Sequence, residues 1–198
     1  VFFYLDLLDE LGLSDLPLVG HSLGGMFAAE LAAAQPNRFS HIVLISPFGL
    51  WDDANPVIDL FSVSLPELAN SLYADPESKA AVAVATAPEA RMTEVDPDTE
   101  DGVETIRYLV ERAKSMSTAV KYLWPIPNRG LVKRLHRVRQ QGLVIWGESD
   151  GIIPSVYGEH FVKHMPNSTI QIVRDSAHMV LDEQPGEVAE LVEGLIAS

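Results

Sequence analysis

The 198-residue sequence has no cysteine, which excludes a disulfide framework, a thiolate nucleophile and a Cys-ligated zinc site; this fits the cytoplasm and leaves the redox compartment open. Positive charge is scarce: 14 Lys and Arg stand against 28 Asp and Glu, a formal net charge of −14 at pH 7. Nucleic acid and anionic membranes both ask for a basic face, so neither is expected as a partner, and a small neutral or cationic molecule is easier to accommodate. No apolar run approaches the roughly 18 residues of a membrane span, and the opening VFFYLDLLDELG is interrupted by Asp6, Asp9 and Glu10, which reads against a signal peptide. Internal repeats and low-complexity tracts are absent as well.

What is present is enough apolar content, 47%, to bury a real core in a single domain. Tyr4, Leu5, Leu8 and Leu11 recur at helical spacing before Gly12, so the chain opens on an amphipathic helix, and a domain starting inside a helix reads as N-terminally truncated. Leu16 to Gly20, His41 to Ile45, Leu143 to Trp146 and Thr169 to Val173 are short apolar runs ending at turn residues. Helical stretches at Met26 to Ala34 and Ser155 to His164 lie between them and one at Gly186 to Ala197 follows the last, the pattern of a parallel sheet covered on both faces. The predicted fold class is α/β, with a mostly parallel sheet of about four strands.

Roughly ninety residues separate the second and third runs, far more than a simple crossover needs. Helical patterns at Pro56 to Ser71, Glu77 to Ala85, Thr99 to Met116 and Gly130 to Arg139 make this an inserted α-helical cap over 52–139, leaving 1–51 and 140–198 as the core. Val103, Ile106, Leu109, Val110 and Ala113 mark an apolar face on the third pattern, and the acidic stretch Glu89 to Glu104 reads as a solvated loop entering it.

Gly20-His-Ser-Leu-Gly24 fits the G-x-S-x-G nucleophile elbow, extended by Gly25. A strained strand-to-helix turn leaves little room two positions either side of the serine, and it lifts Ser22 above the sheet while the helix from Leu23 aims its first N–H groups at developing negative charge. A serine hydroxyl needs a base, and the base needs a carboxylate to orient it. Asp150, just past the third strand in Trp146-Gly-Glu-Ser-Asp-Gly-Ile-Ile-Pro154, is the candidate acid, with Glu148 its competitor. His178, past the last strand in Asp175-Ser-Ala-His-Met179, is the candidate base, and the order Ser, Asp, His suits the motif. His21 lines the site or packs, while His41 and His136 lack comparable placement. His160 and His164 have i, i+4 spacing but no third ligand, so no metal site is expected. Phe48, Leu50 and Trp51, with Ile152, Ile153 and Met179, could form an apolar acyl site, ordinary packing being the alternative.

With GHSLGG, WGESDGIIP and DSAHMVLDEQP, the chain resembles the α/β-hydrolase superfamily from end to end, more weakly across 52–139. The resemblance implies Ser22 as nucleophile, His178 as proton relay, Asp150 as orienting acid and the Leu23 N–H as an oxyanion donor, with no metal or organic cofactor. Asp175 and Ser176 depart from a family pattern that often has glycine there. Family members open with about four further strands and a His-Gly loop supplying a second oxyanion donor, so this chain alone is expected to be poorly active and to associate through an exposed sheet edge. The activity implied is hydrolysis of a carboxylic ester or related acyl bond. Two alternatives stand beside it: carbon–carbon cleavage of a ring-fission diketone by the same triad, and a non-catalytic ligand receptor on the same fold. Dehalogenase and epoxide hydrolase relatives carry aspartate where Ser22 stands.

Overall fold

The structure, a computed structural model, describes residues 1–89, 95–124 and 126–197. Four strands, β1 (Leu16–His21), β2 (Phe39–Ile45), β3 (Gln141–Gly147) and β4 (Ser168–Val173), lie in the order β1-β2-β3-β4. Every neighbouring pair is parallel. The two central strands read as unbroken apolar runs because both faces are covered. Successive side chains point to opposite faces, and the core divides accordingly. Ile42, Leu44, Val144 and Trp146 join one cluster, under α2 (Leu23–Ala34) and α6 (Val156–His164). Val43, Ile45, Leu143 and Ile145 join the other, under α8 (Pro185–Ile196).

The other α-helices among the described residues are α1 (Phe2–Glu10), α3 (Leu65–Leu72), α4 (Lys79–Ala85), α5 (Glu100–Leu123) and the short α7 (Val180–Glu183). In α1 only Leu5 is buried; Tyr4 and Leu11 of the predicted apolar face are exposed. Between β2 and β3 the structure departs from the sequence reading in three places. The helix expected from Pro56 begins only at Leu65, where Ser64 and Glu67 form a reciprocal capping box. Ahead of it Asp59 accepts the Phe61 N–H, and Ile58 donates to the Ile152 carbonyl, which holds that stretch in turns. The pattern at Gly130 to Arg139 resolves into two 3₁₀ turns, Leu131–Lys133 and Leu135–Arg137, with Leu131, Leu135 and Val138 all buried. The long helix runs on to Leu123, yet Val103, Ile106 and Val110 of its expected apolar face are exposed, and only Gly102 and Leu123 are buried. Part of the acidic stretch, 90–94, lies outside the described residues. Among the described residues no helix is long and apolar enough to cross a membrane.

Candidate active site

The loops that leave β1, β3 and β4 at their carboxyl ends meet on one rim of the sheet, where ligand sites of open α/β sheets collect. At the end of β1, Ser22 has φ 54° and ψ −121°, a left-handed backbone rare outside glycine. Its N–H donates to the Ile45 carbonyl at 2.9 Å, and its carbonyl accepts the Phe48 N–H at 3.1 Å, so β2 and the loop after it hold the strained turn. Close packing explains the glycines unevenly. A Cβ at position 20 would lie 2.5 Å from the Gly24 oxygen, and one at position 25 would lie 2.8 Å from the Pro47 Cβ, whereas one at position 24 would meet nothing within 4 Å. The steric need expected two positions after the serine therefore falls on Gly25, where α2 crosses Pro47.

Asp150 is buried in the turn after β3. Its Oδ1 accepts the N–H groups of Ile152 and Ile153, each at 2.9 Å, which leaves Oδ2 facing His178 Nδ1 at 2.9 Å. Glu148, the competing carboxylate, is exposed on the same turn, its N–H bonded to the Val173 carbonyl. His178 is buried, and its Nε2 stands 2.8 Å from Ser22 Oγ. With Nδ1–H donating to Asp150, the Nε2 lone pair is free to accept the serine proton, the tautomer a general base needs.

Of the two places expected for His21, the structure shows packing, against the base. Its Nε2–H donates to the His178 carbonyl at 2.9 Å, and the two rings lie 5.1 Å apart. Burial, reinforced by the neighbouring His178, holds its pKa below the ordinary 6.5 despite the opposing hydrogen bond, which favours the neutral ring. Leu23 opens α2, where the first N–H groups have no acceptor within the helix. Its side chain lines an open groove of about 660 Å³ with Tyr4, Phe27 and Tyr122.

The expected apolar contacts separate. Phe48, its ring 6.2 Å from that of His178, lines a cavity of about 180 Å³ with Trp51, Ile58, Phe61 and Trp124. Leu50, Ile152 and Ile153 are core side chains instead, because the chain turns inward beside Trp146 and Tyr157; the isoleucines serve the site through their N–H groups. Met179 packs with Ala69, Tyr73 and Ala81 in a small cluster below α3 and α4. Glu183, which no motif singled out, accepts the Ala177 N–H at 2.7 Å beside the base. Its signal in the sequence was its place in the DSAHMVLDEQP segment, five residues after His178. His160 sits 4.0 Å from Asp52. Among the described residues no three His, Asp or Glu side chains converge on a position that could hold a metal.

This arrangement sits within a family likeness. The chain is 24% identical over 198 residues to an uncharacterized hydrolase, YugF, of Bacillus subtilis (strain 168), covering 97% of this chain and 69% of that protein. It is 25% identical over 175 residues to the 2-hydroxy-6-oxononadienedioate/2-hydroxy-6-oxononatrienedioate hydrolase of Comamonas testosteroni, covering 87% and 59%. Among solved structures, the 2-hydroxy-6-oxo-6-phenylhexa-2,4-dienoate hydrolase from Rhodococcus sp. strain RHA1 superposes with a TM-score of 0.66 at 18% identity, over 96% of this chain and 67% of that one. A thermophilic esterase superposes with a TM-score of 0.60 at 22% identity, over 90% and 64%. At such identities the structural likeness is one of fold. The chain spans between about half and two thirds of the length of the curated relatives it matches. Residues 2–185 match the profile of the alpha/beta hydrolase fold, and the chain belongs to that family.

Proposed function

We propose that the protein is a serine hydrolase that cleaves a carboxylic ester or related acyl bond through an acyl-Ser22 intermediate. The observation that carries this reading is the unbroken line from Ser22 Oγ to His178 Nε2 and from His178 Nδ1 to Asp150 Oδ2, at 2.8 and 2.9 Å. Ser22 gives its proton to Nε2 as Oγ attacks the acyl carbon. Asp150, held by two N–H donors on its far oxygen, orients the imidazole and stabilises the imidazolium that forms. The Leu23 N–H faces the developing oxyanion. His178 then protonates the leaving oxygen, and a water activated by the same imidazole frees the acid and restores the serine. In this scheme 52–139 acts as a cap, and the Phe48 cavity takes the apolar part of the acyl group. No metal or organic cofactor enters any step.

Carbon–carbon cleavage of a ring-fission diketone is the second reading, favoured by the names of the dienoate hydrolases among the relatives. A fluorophosphonate probe is expected to label the wild type and not Ser22→Ala, and ester turnover is expected to fall on the order of 10⁴-fold or more in Ser22→Ala and His178→Ala. Turnover of a dienoate diketone without ester turnover selects the second reading. Ligand binding with neither labelling nor turnover replaces both with a receptor.

A further inference from the structure

Three consecutive residues carry the candidate base, and each has its backbone tied to a different element. Ala177 N–H donates to Glu183 Oε2 on α7 at 2.7 Å. The His178 carbonyl accepts from His21 at the end of β1 at 2.9 Å. Met179 N–H donates to the Leu72 carbonyl at the end of α3 at 3.0 Å. The second oxygen of Glu183 is used as well: Oε1 accepts the Ala74 N–H at 2.7 Å, just past α3. On the acid side, Gly151 N–H donates to the Ser71 carbonyl at 3.1 Å, and a Cβ at 151 would lie 2.8 Å from the Ser71 Cα. The last turn of α3 thus touches the residue after the acid and the residue after the base, and one carboxylate bridges the backbone two residues past it, at Ala74, to the residue before the base.

We propose that Glu183 is a positioning residue that couples the seating of α3 to the reach of His178 toward Ser22. Charge strengthens both of its hydrogen bonds, and only a carboxylate offers two acceptors with this spacing. An amide would turn a donor toward one of the two N–H groups and release that arm. A displacement of about 1 Å at a reacting group lowers rates by up to about 10²-fold, so a loop held at three points is sensitive to losing one.

This rests on the serine hydrolase reading, and its test has a readout that does not. Fluorophosphonate labelling of Ser22 and the low-field NMR line of the His178 Nδ1 proton are measured in wild type, Glu183→Gln, Glu183→Ala and Tyr73→Phe, below each protein's thermal midpoint. Tyr73→Phe removes a contact of the same interface, to Asp182 at 3.4 Å, without touching the bridge. Glu183→Gln is expected to label about 10-fold and Glu183→Ala about 10²-fold more slowly, with the proton line weakened and then lost, while Tyr73→Phe behaves as wild type. A folded Glu183→Gln with the wild-type line and rate overturns the proposal even if the alanine variant fails to fold. A wild type that shows the line but never labels removes the hydrolase reading and leaves the bridge to be judged by the line. No line in wild type overturns the proposal, since His178 is then not held on Asp150.

Discussion

Strain at Ser22 is tolerable because its neighbours leave no other path. A non-glycine residue in such a conformation costs roughly 1–3 kcal/mol, and the amide and carbonyl on either side are both bonded. Gly20→Ala and Gly25→Ala are each expected to lower stability by about 1–3 kcal/mol through overpacking, whereas Gly24→Ala, facing open space on a helix, is expected to be neutral or slightly stabilising; urea denaturation of the three variants measures this. His21 adds a pH dependence whose sign follows from its lowered pKa. Below 6.5 the unfolded chain takes up a proton that the folded ring refuses, so the stability this group supplies is complete above 6.5 and is lost as pH falls toward the folded value. His21→Gln, which keeps an Nε2 donor and cannot titrate, is expected to flatten the fall in denaturation midpoint between pH 7.5 and 5 relative to wild type. A wild-type slope in that variant would assign the acid loss to other groups. Nothing in the motif separates these glycines or shows where the His21 ring points, since both depend on what packs against the turn.

One of the shorter helices braces two loops of the site. α3 owes its start to the Ser64 and Glu67 capping box, and its end lies against the acid and base loops. Ser64→Ala is expected to cost about 1 kcal/mol, with faster amide exchange at Gly151 and Met179 as the helix frays; unchanged exchange there would show that the far end of α3 is held independently of its cap. Core elements were legible because buried parallel strands are continuous apolar runs, and β2 and β3 appear where Ile42 to Ile45 and Leu143 to Trp146 stand. Periodicity served less well between them. Leu131, Leu135 and Val138 recur as a helix would have them, and all three are buried, but tertiary packing accommodates them in two 3₁₀ turns. In α5 the reverse holds: the spacing of Val103, Ile106 and Val110 is helical and the helix forms, yet these residues remain exposed. Spacing reports which face is apolar and says nothing of what covers it.

In the molecule as a whole, α1 and the edge strand β1 both expose apolar side chains. Among the described residues β1 pairs with β2 alone, Leu16 and Val19 on it are exposed, and Phe2 and Phe3 of α1 are 78% and 73% exposed. Unpaired edges and neighbouring apolar patches favour association, so light scattering is expected to show concentration-dependent self-association that Val19→Lys with Phe3→Glu reduces; a strictly monomeric wild type would contradict this. Local chemistry is enough to establish the strand, turn and helix around Ser22, the α/β class, and the kinds of side chain a proton relay needs, because each follows from sterics or patterning within a few residues. Convergence is another matter. That Asp150 and not Glu148 faces His178, that His21 turns to a carbonyl, and that Glu183 bridges Ala74 and Ala177 all depend on strand order and register bringing together residues up to 157 positions apart, a separation over which neighbouring sequence exerts no force.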